Sequence, residues 1–342
     1  MSDIDIERVL RAADPRNRPP EDVELSARQH LRNEWLLIVA EERTRRRWRT
    51  SLALAAGLMA AAIGVWLAAP LLTGRGETAA TIALASGEIR AKSSLLGTWR
   101  MVGDGESVAA GETLMTGSAG RVAVTLPGGI SARLDHDTRI SFLSAERILI
   151  ESGALYVDAG RAAAGPARLE VVTPHGSLTH LGTQFEVRLL ESQVRVRVRE
   201  GRVEWRNDGG AIASGTAGEQ LTIEPDGVVQ RGATPRFGES WDWVAAVAPG
   251  IDIDGHSLAE FLGWAGRELG RDVVFTSADV RSEASGVVLH GSIAGLTPRR
   301  ALEVVLATTR LQAYLDDGHI VIISQESGGE PSVSSGSADP AT

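Results

Sequence analysis

Side chains equipped for acid–base or metal chemistry gather in two short stretches. In LDHDT, Asp135 and Asp137 flank His136, and in PHGSLTH, His175 and His180 stand five positions apart. An aspartate–histidine–aspartate triplet can relay a proton, and two histidines can begin a metal site. Neither signal goes further. Asp135–Asp137 follow an alternating run and read as its turn, where aspartate is favoured for local hydrogen bonding. His175 and His180 fall in a turn between β-type runs, with no carboxylate cluster to complete a ligand set. No H-E-x-x-H, G-x-S-x-G or G-x-x-x-x-G-K motif occurs. The chain has no cysteine, which excludes a thiol nucleophile, a zinc–thiolate site and an iron–sulfur cluster. The expectation is a protein without metal or cofactor that is not a metabolic enzyme.

Composition and charge say what frame holds these residues. At 342 residues and 43% hydrophobic content the chain can bury two modest cores. Net charge is −9, and in residues 1–50 eleven arginines oppose ten acidic residues, so the acidic excess lies further on. Direct nucleic-acid binding is therefore not expected. Residues 51–72 carry no charge, and a helix of that length would run about 33 Å, enough to cross a bilayer core of roughly 30 Å. Arg43, Arg45, Arg46, Arg47 and Arg49 crowd its N-terminal flank, whereas Arg75 alone lies close on the other side. The positive-inside rule then predicts a single pass through a bacterial inner membrane, N-terminus cytoplasmic and C-terminus periplasmic. Within the cytoplasmic segment, residues 1–50, a helix over 21–49 would carry Val23, Ala27, Leu31, Trp35 and Ile38 at helical spacing. So short a segment has no core of its own. Val23, Leu31, Trp35 and Ile38 are the expected partner-binding residues, the alternative being a helix that only leads into the membrane.

Residues 79–224 change to period-two alternation broken by glycines, with strands predicted at 121–126, 130–134, 147–152, 154–158, 167–173, 184–190 and 193–199. In the last of these Val194, Val196 and Val198 face one way, and Arg195, Arg197 and Arg199 are expected on a solvated face. Residues 225–248, with prolines and glycines, read as a linker. Residues 249–325 read as βαββαβ: strands at 251–253, 273–275, 286–293 and 319–324, helices at 257–270 and 297–310. Residues 326–342 read as a disordered tail. The predicted fold class is thus a single-pass membrane protein with an all-β periplasmic domain, solenoid or sandwich-like, and a small α+β domain.

From AGRVAVTLPGGISARLDHDTRI through RILIESGALYVDAG and VVTPHGSLTHLGTQFEV to VRVREGRVEW, the chain resembles the FecR family of inner-membrane sigma-factor regulators. The likeness covers about residues 80–225. Residues 249–324 resemble the short secretin and TonB N-terminal domain that follows the β-rich unit in this family. Many members carry a longer cytoplasmic anti-sigma region with a tryptophan-containing helix, a part that Trp35 and Trp48 are placed to fill. The resemblance implies a relay from the periplasmic signalling domain of an outer-membrane TonB-dependent receptor to a cytoplasmic sigma factor. Some FecR-like regulators cleave their own chain at a glycine–threonine bond, which the resemblance maps onto Gly182 and Thr183. The plainer reading of that pair is a tight β-turn. Two other function classes fit the sequence: a periplasmic envelope protein that binds peptidoglycan or polysaccharide, and a scaffold component of an export complex.

Overall fold

The computed structural model describes residues 77–93, 97–160 and 169–324, all within one compact unit, Gly74–Thr342. Valine, isoleucine and threonine at alternate positions favour extended backbone, so short strands follow one another. They are β1 (Thr78–Ser86), β2 (Ile89–Ser93), β3 (Trp99–Met101), β4 (Ser107–Ala109), β5 (Glu112–Thr116), β6 (Arg121–Thr125), β7 (Ser131–Leu134) and β8 (Arg139–Ser144). The chain continues with β9 (Arg147–Ser152), β10 (Ala154–Asp158), β11 (Glu170–Thr173), the long pair β12 (Gly176–Leu189) and β13 (Val194–Arg206), then β14 (Ile212–Thr216), β15 (Glu219–Ile223) and β16 (Val229–Ala233). These 16 strands form one hydrogen-bonded sheet. Its path runs β3-β2-β5-β8-β9-β11-β12-β10-β7-β6-β1-β4, and β13 branches from β12 to carry β14, β15 and, through β15, β16. A twisted sheet this wide curls. It closes on one core that draws Ile82, Leu114, Phe142, Phe185, Val196 and Ile223 from strands far apart in the path.

That architecture overturns the predicted fold class. A solenoid stacks parallel strands, yet the described pairings in this sheet are antiparallel apart from β9 with β11. A sandwich needs two separate sheets, and here hydrogen bonding is continuous. Among the described residues no helix is long and apolar enough to cross a membrane. The run 51–72 and the helix expected over 21–49 lie outside the described residues, as do Val23, Leu31, Trp35, Ile38 and Trp48. What the structure holds is a mostly β protein with few helices.

The segment read as a linker contains β16 and then a 3₁₀ turn, Glu239–Trp241, that runs into α1 (Asp242–Ala246). Trp241 is buried there, with its indole N–H donated to the Pro235 carbonyl at 2.7 Å. Beyond it lie α2 (Leu258–Leu269), β17 (Asp272–Phe275), α3 (Ala278–Gly286), α4 (Pro298–Leu306), β18 (Leu311–Asp316) and β19 (His319–Ser324). The order is therefore αβααββ, not βαββαβ. Residues 251–253 and 286–293 form no strand; their one ladder contact is an isolated bridge between Ser257 and Val288. Ile253, Leu289 and Ile293 are buried all the same, so alternation marked what packs inward without marking what pairs. The three true strands lie in the order β17-β19-β18. Ser257 and Glu260 close a capping box on α2, and Gly270, at φ +66°, ends it in a left-handed turn. Phe261, Leu262 and Ala265 of α2 then pack with Ala301 and Val305 of α4 and Ile320 of β19 as a second core.

Candidate functional site: a paired bulge beneath a helix

In β13 the core-facing residues are Val194, Val196 and Val198, then Val203 and Trp205. Parity changes from even to odd. In β12 it changes as well, from Leu178 to Phe185 and Val187. A strand keeps one face inward only at period two, so each must hold an extra residue between those positions. The register places them: Leu181 pairs Arg202, Gln184 pairs Glu200, and Phe185 pairs Val198. One extra residue at Gly182–Thr183 in β12 is offset by one at Arg199 in β13, and beyond both the ladder resumes its original register. Gly182 supplies the bulge conformation at φ +57°, a region that costs other residues roughly 1–2 kcal/mol.

Thr183 is fully buried, and its hydroxyl donates to the Arg202 carbonyl at 2.8 Å. Its own carbonyl accepts from the Ala159 N–H at 3.1 Å. Three positions earlier, His180 is buried with Nε2 accepting from the Leu169 N–H at 3.3 Å. Burial holds its imidazole below the ordinary 6.5, so the ring is neutral, and Nδ1 is buried without a partner. His175 lies apart, its Nε2 within 2.9 Å of the Ser192 carbonyl oxygen. The structure therefore does not join the two histidines into a metal site. Asp135 is held by arginines. Burial pushes its carboxyl up, but hydrogen bonds from Arg188 and Arg121 outweigh that and hold it below the ordinary 3.8.

Across the outer face of the sheet two rows of side chains cross the ladder. One is Arg133–Tyr156–Glu186–Arg197, and the next is Asp158–Gln184–Glu200. Of the three arginines expected to face solvent, Arg195 is half-buried and the other two are covered. Arg197 and Arg199 are buried and stack on Trp241, 4.4 and 5.1 Å from its ring centre. Tyr156 meets Trp241 edge-on at 6.0 Å, and burial pushes its hydroxyl up to about 12. The C-terminal end of α2 descends on both rows. Arg267 donates to both oxygens of Asp158, through Nε at 3.1 Å and through Nη2, and to Glu200 at 3.0 Å. Gln184 adds a hydrogen bond to Asp158 at 2.9 Å. The adjacent Glu268 accepts two bonds from Arg133, at 2.7 and 2.8 Å, with both side chains buried. Burial alone would raise the Asp158 carboxyl; Arg267 outweighs it and holds the group below 3.8. Arginine suits this place because its planar fork meets a carboxylate at two points.

Residues 112–204 match the family model described as FecR protein. The chain carries a FecR domain. The match spans β5 to most of β13 and takes in the paired bulge, Asp158 and Arg133, while α2 lies beyond it. No curated protein matches the chain. Among solved structures it is similar to two of a candidate anti-sigma factor from Parabacteroides distasonis ATCC 8503, determined at 1.65 and 2.50 Å. The first shares 16% identity with a TM-score of 0.33, the second 17% with 0.32. Each alignment covers 62% of this chain and 98% of the other.

Sequence reasoning singled out Gly182 and Thr183 but not the groups that α2 brings to the FecR domain. Asp158 and Arg267 are 109 positions apart, and Arg133 and Glu268 are 135 apart. The parity changes in β12 and β13 were visible as pattern and would have located the bulge.

Proposed function

We propose that the chain regulates a cytoplasmic sigma factor, and the observation that carries this reading is the FecR match over residues 112–204. The finer form of the proposal is a relay. The arginine-flanked, uncharged run at 51–72 supports an inner-membrane location with the N-terminus cytoplasmic and the FecR domain periplasmic. Val23, Leu31, Trp35 and Ile38 would lay an apolar helix face into a groove of the sigma factor. The input would be the periplasmic signalling domain of a TonB-dependent outer-membrane receptor, bound by the part that contains α2. Arg267 then offers a physical route inward, because it grips Asp158 and Glu200 beside the bulge.

The bulge itself supports self-cleavage as part of the proposal. The Thr183 Oγ attacks the Gly182 carbonyl carbon, the amide nitrogen leaves as the Thr183 amine and takes the hydroxyl proton, and water hydrolyses the resulting ester. The hydrogen bond to the Arg202 carbonyl must open for the hydroxyl to turn. The test of the central reading is affinity purification of the full-length chain from membranes with its partners read by mass spectrometry. A sigma factor should accompany the wild type and be lost from Leu31→Ala with Trp35→Ala at equal protein level. No sigma factor with the wild type would sink the proposal.

A further inference from the structure

Arg199, the extra residue of β13, is buried, and only part of its guanidinium is used. Nε donates to the Arg236 carbonyl at 2.7 Å, while Nη1 is buried without a hydrogen-bond partner. A cleft of about 220 Å³ opens beside it between the sheet and the helices, lined also by Arg271, Arg299 and Thr297. Thr297 caps α4, and Arg299 is the second residue of that nine-residue helix, so the positive end of the helix dipole faces the same space. Arg271 is driven below its ordinary value first by burial and then by the charge of Arg299, while Asp317 and Asp316 act in the opposite sense. Of the carboxylates on the wall, Glu268 is committed to Arg133, which leaves exposed Asp242, and Arg271 also donates through Nη1 to the Asp316 carbonyl. Ala245 and Leu269 give the cleft an apolar side. An orphaned buried guanidinium nitrogen is costly unless something negative meets it.

We propose that this cleft is a binding site for a small oxyanion head group, carboxylate or phosphate, held by Arg199, Arg271 and Arg299. Since Arg199 belongs to the sheet while Arg271 follows α2 and Arg299 lies in the first turn of α4, the bound anion ties the two cores together. This site is independent of the sigma-factor reading. Its test is calorimetric titration of the purified full-length chain, at low ionic strength, with inorganic phosphate and separately with benzoate. One saturable site is expected for at least one probe, and whether phosphate or benzoate fills it assigns the head group. Arg299→Gln, an exposed change that leaves both cores intact, should weaken binding roughly tenfold, the loss of a charged hydrogen bond. Arg271→Gln should do the same, and Arg231→Gln on β16, outside the cleft, should leave affinity unchanged. No saturable binding of either probe, or wild-type affinity retained in both Arg299→Gln and Arg271→Gln, overturns the site.

Discussion

Gly182 and Thr183 occupy a place where the ladder has one residue too many, and that local fact sets the first prediction. Purified wild-type chain should run as two pieces, residues 1–182 and 183–342, held together by the pairing of β12 with β13. Thr183→Ala should remain one chain and Thr183→Ser should still divide, as read by denaturing gel and N-terminal sequencing. An undivided wild type would remove self-cleavage and leave sigma-factor regulation standing. His180 sets the second. Its folded-state value lies below the ordinary 6.5, so the unfolded chain binds a proton at higher pH than the folded one. The stability it contributes is therefore complete above pH 6.5 and declines as pH falls below that value. Urea unfolding at pH 7 and pH 5 should show that decline, and His180→Gln should lessen it; an unchanged pH dependence would count against a neutral buried ring. At this scale the sequence was informative about faces. Val194, Val196 and Val198 announced the core side, but Arg197 and Arg199 were read as solvated because alternation shows that two faces differ, not that the second is covered by Trp241.

For the elements, the third prediction concerns the grip of α2 on β7. Glu268→Gln strands the buried Arg133 guanidinium and should cost about 3–5 kcal/mol, measured by chemical denaturation. Arg133→Met combined with Glu268→Leu removes both charges and should recover most of that loss. If the double variant is as unstable as the single one, the pair is not the seat of the effect. Gly270 belongs to the same contact: a Cβ there would lie 2.3 Å from Nε of Arg199, so the glycine that ends α2 also admits the arginine beneath it. Helices with strong caps and an apolar stripe were legible, as α2 and α4 demonstrate. The predicted helix at 297–310 overran, because α4 ends at Leu306 before Thr308 and Thr309 turn back on their own backbone. The missed helix α3 buries just Val280 and Ala284, too few apolar positions to display a period, and its start rests on the Ser277 cap. The missed strand β18 leaves Tyr314 and Leu315 exposed and owes its existence to pairing with β19.

In the molecule as a whole, most strand positions over residues 121–199 were readable and strand partners were not. RILIES and EVVT each look extended from their residues, yet the parallel pairing of β9 with β11 depends on the path of the chain between them. Sheet order is a property of distant contacts, which local pattern does not encode. The fourth prediction tests the compartments proposed for the chain: a phosphatase reporter joined after Ser324 should be active in cells, and one joined at Arg49 silent. The reverse pattern would exclude a periplasmic FecR domain. Arg267 and Glu268 set the alignment of α2 on the sheet. They are consecutive and opposite in sign, and each meets its complement, Arg267 against Asp158 and Glu200, Glu268 against Arg133. A helix seated one residue out of place would set Arg267 against Arg133 if displaced one way, or Glu268 against Asp158 and Glu200 if displaced the other. The contact is therefore keyed like an asymmetric plug: a slip of one residue in either direction meets repulsion, and only the native alignment gives every charge its complement.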